Sequence, residues 1–382
     1  MLPHPMQTLI EAPGPLDEAL AVLQQAPQIA LDIEGDGLFR YRARLCTVQL
    51  ASADRIAVVD TLAVDPQRLA SIAGPEGPLK VVHDASFDVR MLREAGVPFA
   101  KLFDTSVAAR FLGEPATGLA SLVSKFLEVT LEKEQQQADW GKRPLTPLAL
   151  RYLENDVRYL LPLAERLREA VREADIELEV LEESRWVVTN AEGEEPEARP
   201  PWTRIKGSAD LEPLAQAVLR EVALVREQAA QESDVPPFKI VANRSLLELA
   251  GARPTSVGEA ARIRGLDRGR ARRLLRDLVE GVRRGEAVGA PPAQELERLR
   301  STPLPPDERA RRQRNKTSLT QWRREEAEAR GVDPQVVLPG HCLTDVAALG
   351  PRSNEELARV AGLGEFRIER YGEAVIRRVA AS

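Results

Sequence analysis

Cysteine, histidine and aromatic side chains are scarce in this chain of 382 residues: two Cys, three His and 4% Phe, Trp and Tyr. So few soft ligands argue against a zinc site. Cys46 and Cys342 lie far apart in sequence and read as reduced thiols of a cytoplasmic protein. No apolar run approaches the length of a membrane span. Residues 1–14 lack the basic-then-apolar order of a signal peptide. No Gly-x-x-x-x-Gly-Lys-Ser/Thr loop occurs, which excludes a P-loop motor.

Carboxylates are abundant, and five residues in order carry the chemistry. Gln28 to Leu31 is an apolar run that predicts a buried strand leading into Asp32-Ile33-Glu34. Residues two apart share a strand face, so Asp32 and Glu34 project together while Leu31 and Ile33 enter the core. Gly35 and Gly37 end the strand and argue that Asp36 leaves that face. Pro78 to His83 predicts a second strand and Ser86 to Ala95 a helix stopped by Gly96, with Asp88 in its first turn. Asp84 is a rival for Asp88. His83 reads either as a packed strand-end residue or as part of a site. Pro147 to Glu173 predicts one long helix, on which Tyr152 and Asp156 stand one turn apart on one face.

Such a cluster suits phosphodiester hydrolysis. Mg²⁺ or Mn²⁺ prefers oxygen ligands. Two such ions, about 3.5–4 Å apart, can bind the attacking and leaving oxygens together. Asp32 and Glu34 would bridge or flank the metals, and Asp88 and Asp156 would complete the shell. Tyr152, with an ordinary pKa of about 10, is a poor base and would instead hold the attacking water.

The stretches Leu31-Asp32-Ile33-Glu34, His83 to Val89 and Tyr152 to Val157 resemble the three motifs of DEDDy exonucleases. Leu45 to Leu50, Phe103-Asp104-Thr105, Ala138-Asp139-Trp140 and Arg143-Pro144-Leu145 agree with them. Within that superfamily the chain most resembles bacterial ribonuclease D. The resemblance implies an α/β RNase H-like (DnaQ-like) fold, two Mg²⁺ or Mn²⁺ ions and removal of nucleotides from an RNA 3′ end. Asp32, Glu34, Asp88, Tyr152 and Asp156 carry over directly. The Gly35-Asp36-Gly37 stretch departs from the aromatic or apolar residue often found there.

A net charge of −6 looks wrong for a nucleic-acid binder. Ten acids against the single base Arg185 between Glu173 and Ala198 account for it, and the remainder is slightly positive. Residues 192–201 read as a linker. Beyond it, seven arginines stand between Arg262 and Arg276 against one acid, Asp267. Leu211 to Gly285 resembles an HRDC domain, on Pro236 to Val241, Leu246 to Ala250, Pro254 and Ile263 to Leu266. The pattern returns more faintly from about Pro303 to Ala380, an internal repeat of about eighty residues.

The expectation is therefore an exonuclease domain over 1–190, a linker over 191–207, and two all-α HRDC bundles over 208–288 and 301–382. The chain would be a monomeric 3′–5′ exoribonuclease that trims RNA with a single-stranded 3′ end, such as tRNA precursors. Arg264, Arg268, Arg270, Arg272 and Arg273 would contact nucleic acid. Action on DNA ends, as in Werner-type exonucleases, and a non-catalytic RNA-binding scaffold are the alternatives.

Overall fold

Strand β1 (Gln28–Gly35) begins where the apolar run predicted and carries the chemistry at its end. It is the centre of a five-stranded sheet with β2 (Leu45–Ala51), β3 (Ile56–Asp60), β4 (Leu79–Val82) and β5 (Leu102–Asp104), in the order β3-β2-β1-β4-β5. β2 and β3 run antiparallel, whereas β4 and β5 run parallel to β1 and its neighbour. The structure, a computed structural model, describes residues 9–131, 135–191, 199–299 and 305–380. Part of the span read as a linker, 192–198, and the start of the second bundle, 301–304, lie outside the described residues.

Period-2 alternation divides β1 between two cores. Leu31 and Ile33 enter the main core. Ala30 faces the other way, against Val157, Leu160 and Ala164. Asp32 and Glu34 lie on that second face, which is covered by the helix Pro147–Arg158. The predicted single helix is two. The first ends at Tyr159 (φ −100°, ψ −5°) and a second runs Leu160–Glu173. Pro162 explains the break: it has no N–H to give to the carbonyl four residues back, and its ring crowds that carbonyl.

The chain divides into two compact units. One contains residues 1–35, 45–193 and 305–382, so the second helical bundle belongs to the same unit as the sheet. The bundle has its own core of Leu319, Trp322, Leu338, Leu343, Leu357, Tyr371 and Val375. The other unit contains 36–44 and 194–304. Its core is built on the helix Pro213–Ser233 and the helix Leu275–Val288, which meet so closely at Gly285 that a Cβ there would lie 2.4 Å from the Val218 Cα. Trp202, within the span read as a linker, is buried in this core and donates its indole N–H to Glu295 at 2.6 Å. Residues 36–44 pack with this bundle. Arg40 pairs with Asp234, Tyr41 donates to Glu227 at 2.7 Å, and Lys239 sits 4.1 Å over the Phe39 ring. Asp36 is fully buried, held by the Arg44 backbone N–H at 2.7 Å and its Nε at 2.9 Å, so it is no part of the carboxylate cluster.

One ion pair pins the segment before the Tyr152 helix. Arg143 grips both carboxylate oxygens of Asp60, with Nη2 to Oδ1 at 2.6 Å, and also donates to the carbonyls of Cys46 and Trp140. Asp60 is almost fully buried and Arg143 is 23% exposed. Arg143→Ala would strand a buried carboxylate and is expected to cost about 3 kcal/mol, the low end for breaking a buried pair because the guanidinium is partly solvated. A denaturant titration with an unchanged midpoint would contradict this.

Candidate active site

The pocket at the end of β1 has a volume of about 500 Å³ and is lined by Asp32, Glu34, His83, Asp84, Phe87, Asp88, Tyr152 and Asp156, together with Thr117 to Ser121. All five residues singled out from the sequence therefore meet at one place. Oxygens of Asp32, Glu34 and Asp156 lie within 4.8 Å of one another. Asp88 is buried in the first turn of the helix Ser86–Glu94, and its Oδ2 has no hydrogen-bond partner. Tyr152 stands one turn before Asp156 on the same face of the helix Pro147–Arg158. Its ring packs 5.7 Å from that of buried Trp140.

The electrostatics are unfavourable for the protein alone. Among the described residues no Lys or Arg pairs with any of the four carboxylates. Across the β1–β2 ladder, Asp32 faces Gln49 and Glu34 faces Thr47, which are neutral and joined to each other at 2.7 Å. Burial pushes Asp32 up to about 7. Burial, then Asp32 and Asp156, push Glu34 up to about 9. Burial, then Asp32, raises Asp156 to about 8. Asp88 is raised well above the usual carboxylate range, chiefly by burial and then by the other acids. Tyr152 is also raised, by burial first and then by Asp156 and Glu34. Clustered buried acids without a cation are costly, and this all-oxygen donor set fits a hard divalent cation.

A pH dependence follows. In the unfolded chain these carboxyls lose their protons near pH 4; in the folded metal-free protein they hold them to about 7, 9 and 8. Their contribution to stability is complete below pH 4 and is lost as pH rises through those folded values. The urea midpoint in chelator should fall between pH 5 and 9, and Mg²⁺ or Mn²⁺ should reverse the fall. A slope that survives in the triple variant Asp32→Asn, Glu34→Gln, Asp156→Asn would contradict this origin.

Two residues quoted in the motif stretches, but given no role there, position the second motif. Asp104 caps the helix Thr105–Phe111 through Ser106 N–H at 2.8 Å. The same carboxylate accepts from Asp84 N–H at 3.1 Å and Ala85 N–H at 3.0 Å, so it holds the turn that launches Asp88. Asp84 itself is exposed, in the left-handed region at φ 59°. The Thr105 hydroxyl gives its proton to the Val82 carbonyl at 2.8 Å and so accepts from His83 Nδ1 at 2.9 Å. His83 is thereby the Nδ1–H tautomer at the pocket wall, and burial lowers its pKa. An Asp directly before a helix was the available signal for Asp104.

The five arginines are not in this pocket. Arg264, Arg268, Arg270, Arg272 and Arg273 belong to the unit containing 194–304. Their side chains are exposed and make no ion pair or hydrogen bond with a described residue.

Residues 8–172 match the family model of 3′–5′ exonucleases, and the HRDC domain matches twice, over 215–282 and 317–379. The chain is thus an exonuclease of RNase H-like fold joined to helical HRDC bundles. A ribonuclease D of Pseudomonas paraeruginosa is 30% identical over 93% of this chain and 93% of its own length. One from Gluconacetobacter diazotrophicus is 30% identical over 79% of this chain and 78% of its own. The chain belongs to the ribonuclease D family and is a 3′–5′ exoribonuclease. The catalytic core of RRP6 from Trypanosoma brucei superposes with a TM-score of 0.62 at 27% identity, over 73% of this chain and 79% of that one. Escherichia coli RNase D shares the fold over 98% of both chains, with a TM-score of 0.68 at 24% identity. As in its family, activity depends on a divalent metal and the substrate is RNA. No described helix is long and apolar enough to cross a membrane.

Proposed function

We propose that Asp32, Glu34, Asp88 and Asp156 hold two divalent ions, Mg²⁺ or Mn²⁺, and that Tyr152 orients the water that attacks the last phosphodiester of an RNA 3′ tail. The observation that carries this reading is the convergence of three carboxylates within 4.8 Å beside the unpartnered Oδ2 of Asp88. When bound, the ions would supply charge neutralisation and acidify water. Tyr152 keeps its proton at any working pH, because its pKa lies above the ordinary value. It therefore positions the water through a hydrogen bond and does not act as the base. The water oxygen bonds to phosphorus and the bond to the 3′ oxygen of the penultimate ribose breaks. A nucleoside 5′-monophosphate leaves, and a new 3′-hydroxyl remains on the shortened RNA.

The substrate in this reading is a structured RNA with a single-stranded 3′ end, such as a tRNA precursor, processed by a monomer in the cytoplasm. The modular plan is a nuclease domain over 1–190 followed by HRDC bundles over 208–288 and 301–382. The exposed arginines of the first bundle, Arg264, Arg268, Arg270, Arg272 and Arg273, would hold the RNA body. A time course on 5′-labelled RNA and DNA of one sequence, and on a tRNA precursor with a 3′ extension, tests this. Shortening from the 3′ end on RNA, stopped by EDTA and ending near the tRNA stem, is expected. Faster shortening of DNA would move the substrate to DNA ends.

A further inference from the structure

The two helical bundles repeat one another at a constant spacing of 97 residues. Left-handed residues match at Asp234 and Gly331, at Arg253 and Gly350, and at Gly265 and Gly362. Ser256 and Ser353 cap matching short helices, accepting from Glu259 N–H and Glu356 N–H at 3.3 Å each. The same glutamates reach back to the N–H groups of Thr255 and Arg352, at 2.9 and 2.7 Å. The local fold up to the Gly265 and Gly362 hairpins is therefore one design used twice.

At the hairpin the copies diverge. In the second bundle, Gly362-Leu363-Gly364 leads into the helix Glu365–Ala380 and lies against the helix Glu177–Ala191 of the same unit. A Cβ on Gly364 would fall 2.1 Å from the Glu182 carboxyl carbon, and one on Gly362 would fall 2.1 Å from Trp186. The Glu182 carboxylate accepts from Phe366 N–H at 3.1 Å and from the Arg367 guanidinium at 3.0 Å. Arg367 is 1% exposed and has no other carboxylate partner among the described residues. Glu179 pairs with Arg330, Glu183 meets His341 at 3.2 Å, and Trp186 stacks on the His341 ring at 3.6 Å. An anion is thus already seated on this hairpin, with two further acids, Glu179 and Glu183, beside it.

In the first bundle, 97 residues earlier, Arg264 stands in place of Ala361 and Arg268 in place of Glu365. Both are exposed and unpaired among the described residues, and so is Arg270, the counterpart of Arg367, which in the second bundle is buried on Glu182. This side-chain charge, and not the short helix Gly269–Arg273, is what distinguishes the copy.

We propose that the hairpin of the second bundle is an anion seat filled from within by Glu182, which makes that bundle a docking module, and that the matching hairpin of the first bundle is the open one that receives an RNA phosphate backbone through Arg270, the counterpart of Arg367, flanked by the added charges of Arg264 and Arg268. The inference rests on the RNA-holding role proposed above and divides it between the repeats. The polyanion is favoured at the first hairpin because its loose arginines release condensed counterions on binding.

The test exchanges residues between the copies. Full-length protein carrying Arg264→Ala and Arg268→Glu receives the second hairpin's residues at exposed sites and should keep its melting temperature. Its Kd for a tRNA-sized RNA with a 3′ tail, measured in EDTA, should rise about tenfold, and the slope of log Kd against log salt should fall by about 2. Glu182→Gln should lower the melting temperature and leave that Kd within twofold. An unchanged Kd and salt slope in the exchanged protein would overturn the proposal. So would a Glu182→Gln protein that loses RNA binding as fully as the exchanged one. Hydrolysis of a tetranucleotide by the unaltered protein reports on the nuclease reading separately. If it is present and the exchange has no effect, the function stands and this division falls; if it is absent, the nuclease reading fails first.

Discussion

Asp32→Asn should remove hydrolysis almost entirely, lowering kcat by about 10³-fold or more, while making the metal-free protein more stable. Both effects come from one carboxylate. Its oxygens lie within 4.8 Å of those of Glu34 and Asp156, so the amide removes a negative charge from the centre of the donor set. The rate loss corresponds to about 4 kcal/mol of transition-state stabilisation, within the several kcal/mol that metal-ion catalysis supplies. The gain in stability follows from burial: Asp32 is held up to about 7 because its charged form is poorly solvated there, and an amide of the same shape escapes that penalty. At pH 8 in EDTA the variant should melt above the unaltered protein, and added Mn²⁺ should raise its melting temperature less. Asp156→Asn should behave alike. A variant that melts lower in EDTA, or that retains a tenth of the activity, would contradict the assignment.

Tyr152→Phe should lower kcat by about 10²-fold, the loss expected when one positioned hydrogen bond at the reacting centre is removed. Stability should change little, because the ring keeps its packing against Trp140 at 5.7 Å. The alkaline side of the pH–rate profile separates positioning from base catalysis. Burial and the adjacent acids hold the tyrosine's proton firmly, so no ionisation of this residue should shape the profile. The same profile, scaled down, is expected for Tyr152→Phe. Disappearance of an ionisation from the profile of the variant would make the phenol a proton acceptor and overturn this role.

The residues legible in the sequence are those fixed by short-range periodicity. Asp32 and Glu34 share a face because a strand repeats every two residues, and Tyr152 and Asp156 share one because a helix nearly repeats every four. The strand end at Gly35 and the helix stop at Gly96, with φ 76°, were readable for the same reason. What escaped depends on partners distant in sequence. The acids from Glu173 to Ala198 entered the sequence reading only as net charge, yet Glu179 and Glu183 are almost fully buried, and Glu179, Glu182 and Glu183 engage Arg330, Arg367 and His341 some 150 to 190 residues later. No local pattern announces that Asp60 will hold Arg143, or that Trp202 will leave an apparent linker for a core. The break at Tyr159 lay within reach, since Pro162 forbids the continuous helix.

The most direct test of the carboxylate site is a crystal structure of the protein soaked in Mn²⁺, with the ions located by anomalous scattering and repeated on Asp156→Asn. Two Mn²⁺ ions are expected in the pocket bounded by Asp32, Glu34, Asp88 and Asp156, and fewer in the variant. Ions bound elsewhere, or an Asp156→Asn pocket that fills as the original does, would contradict this.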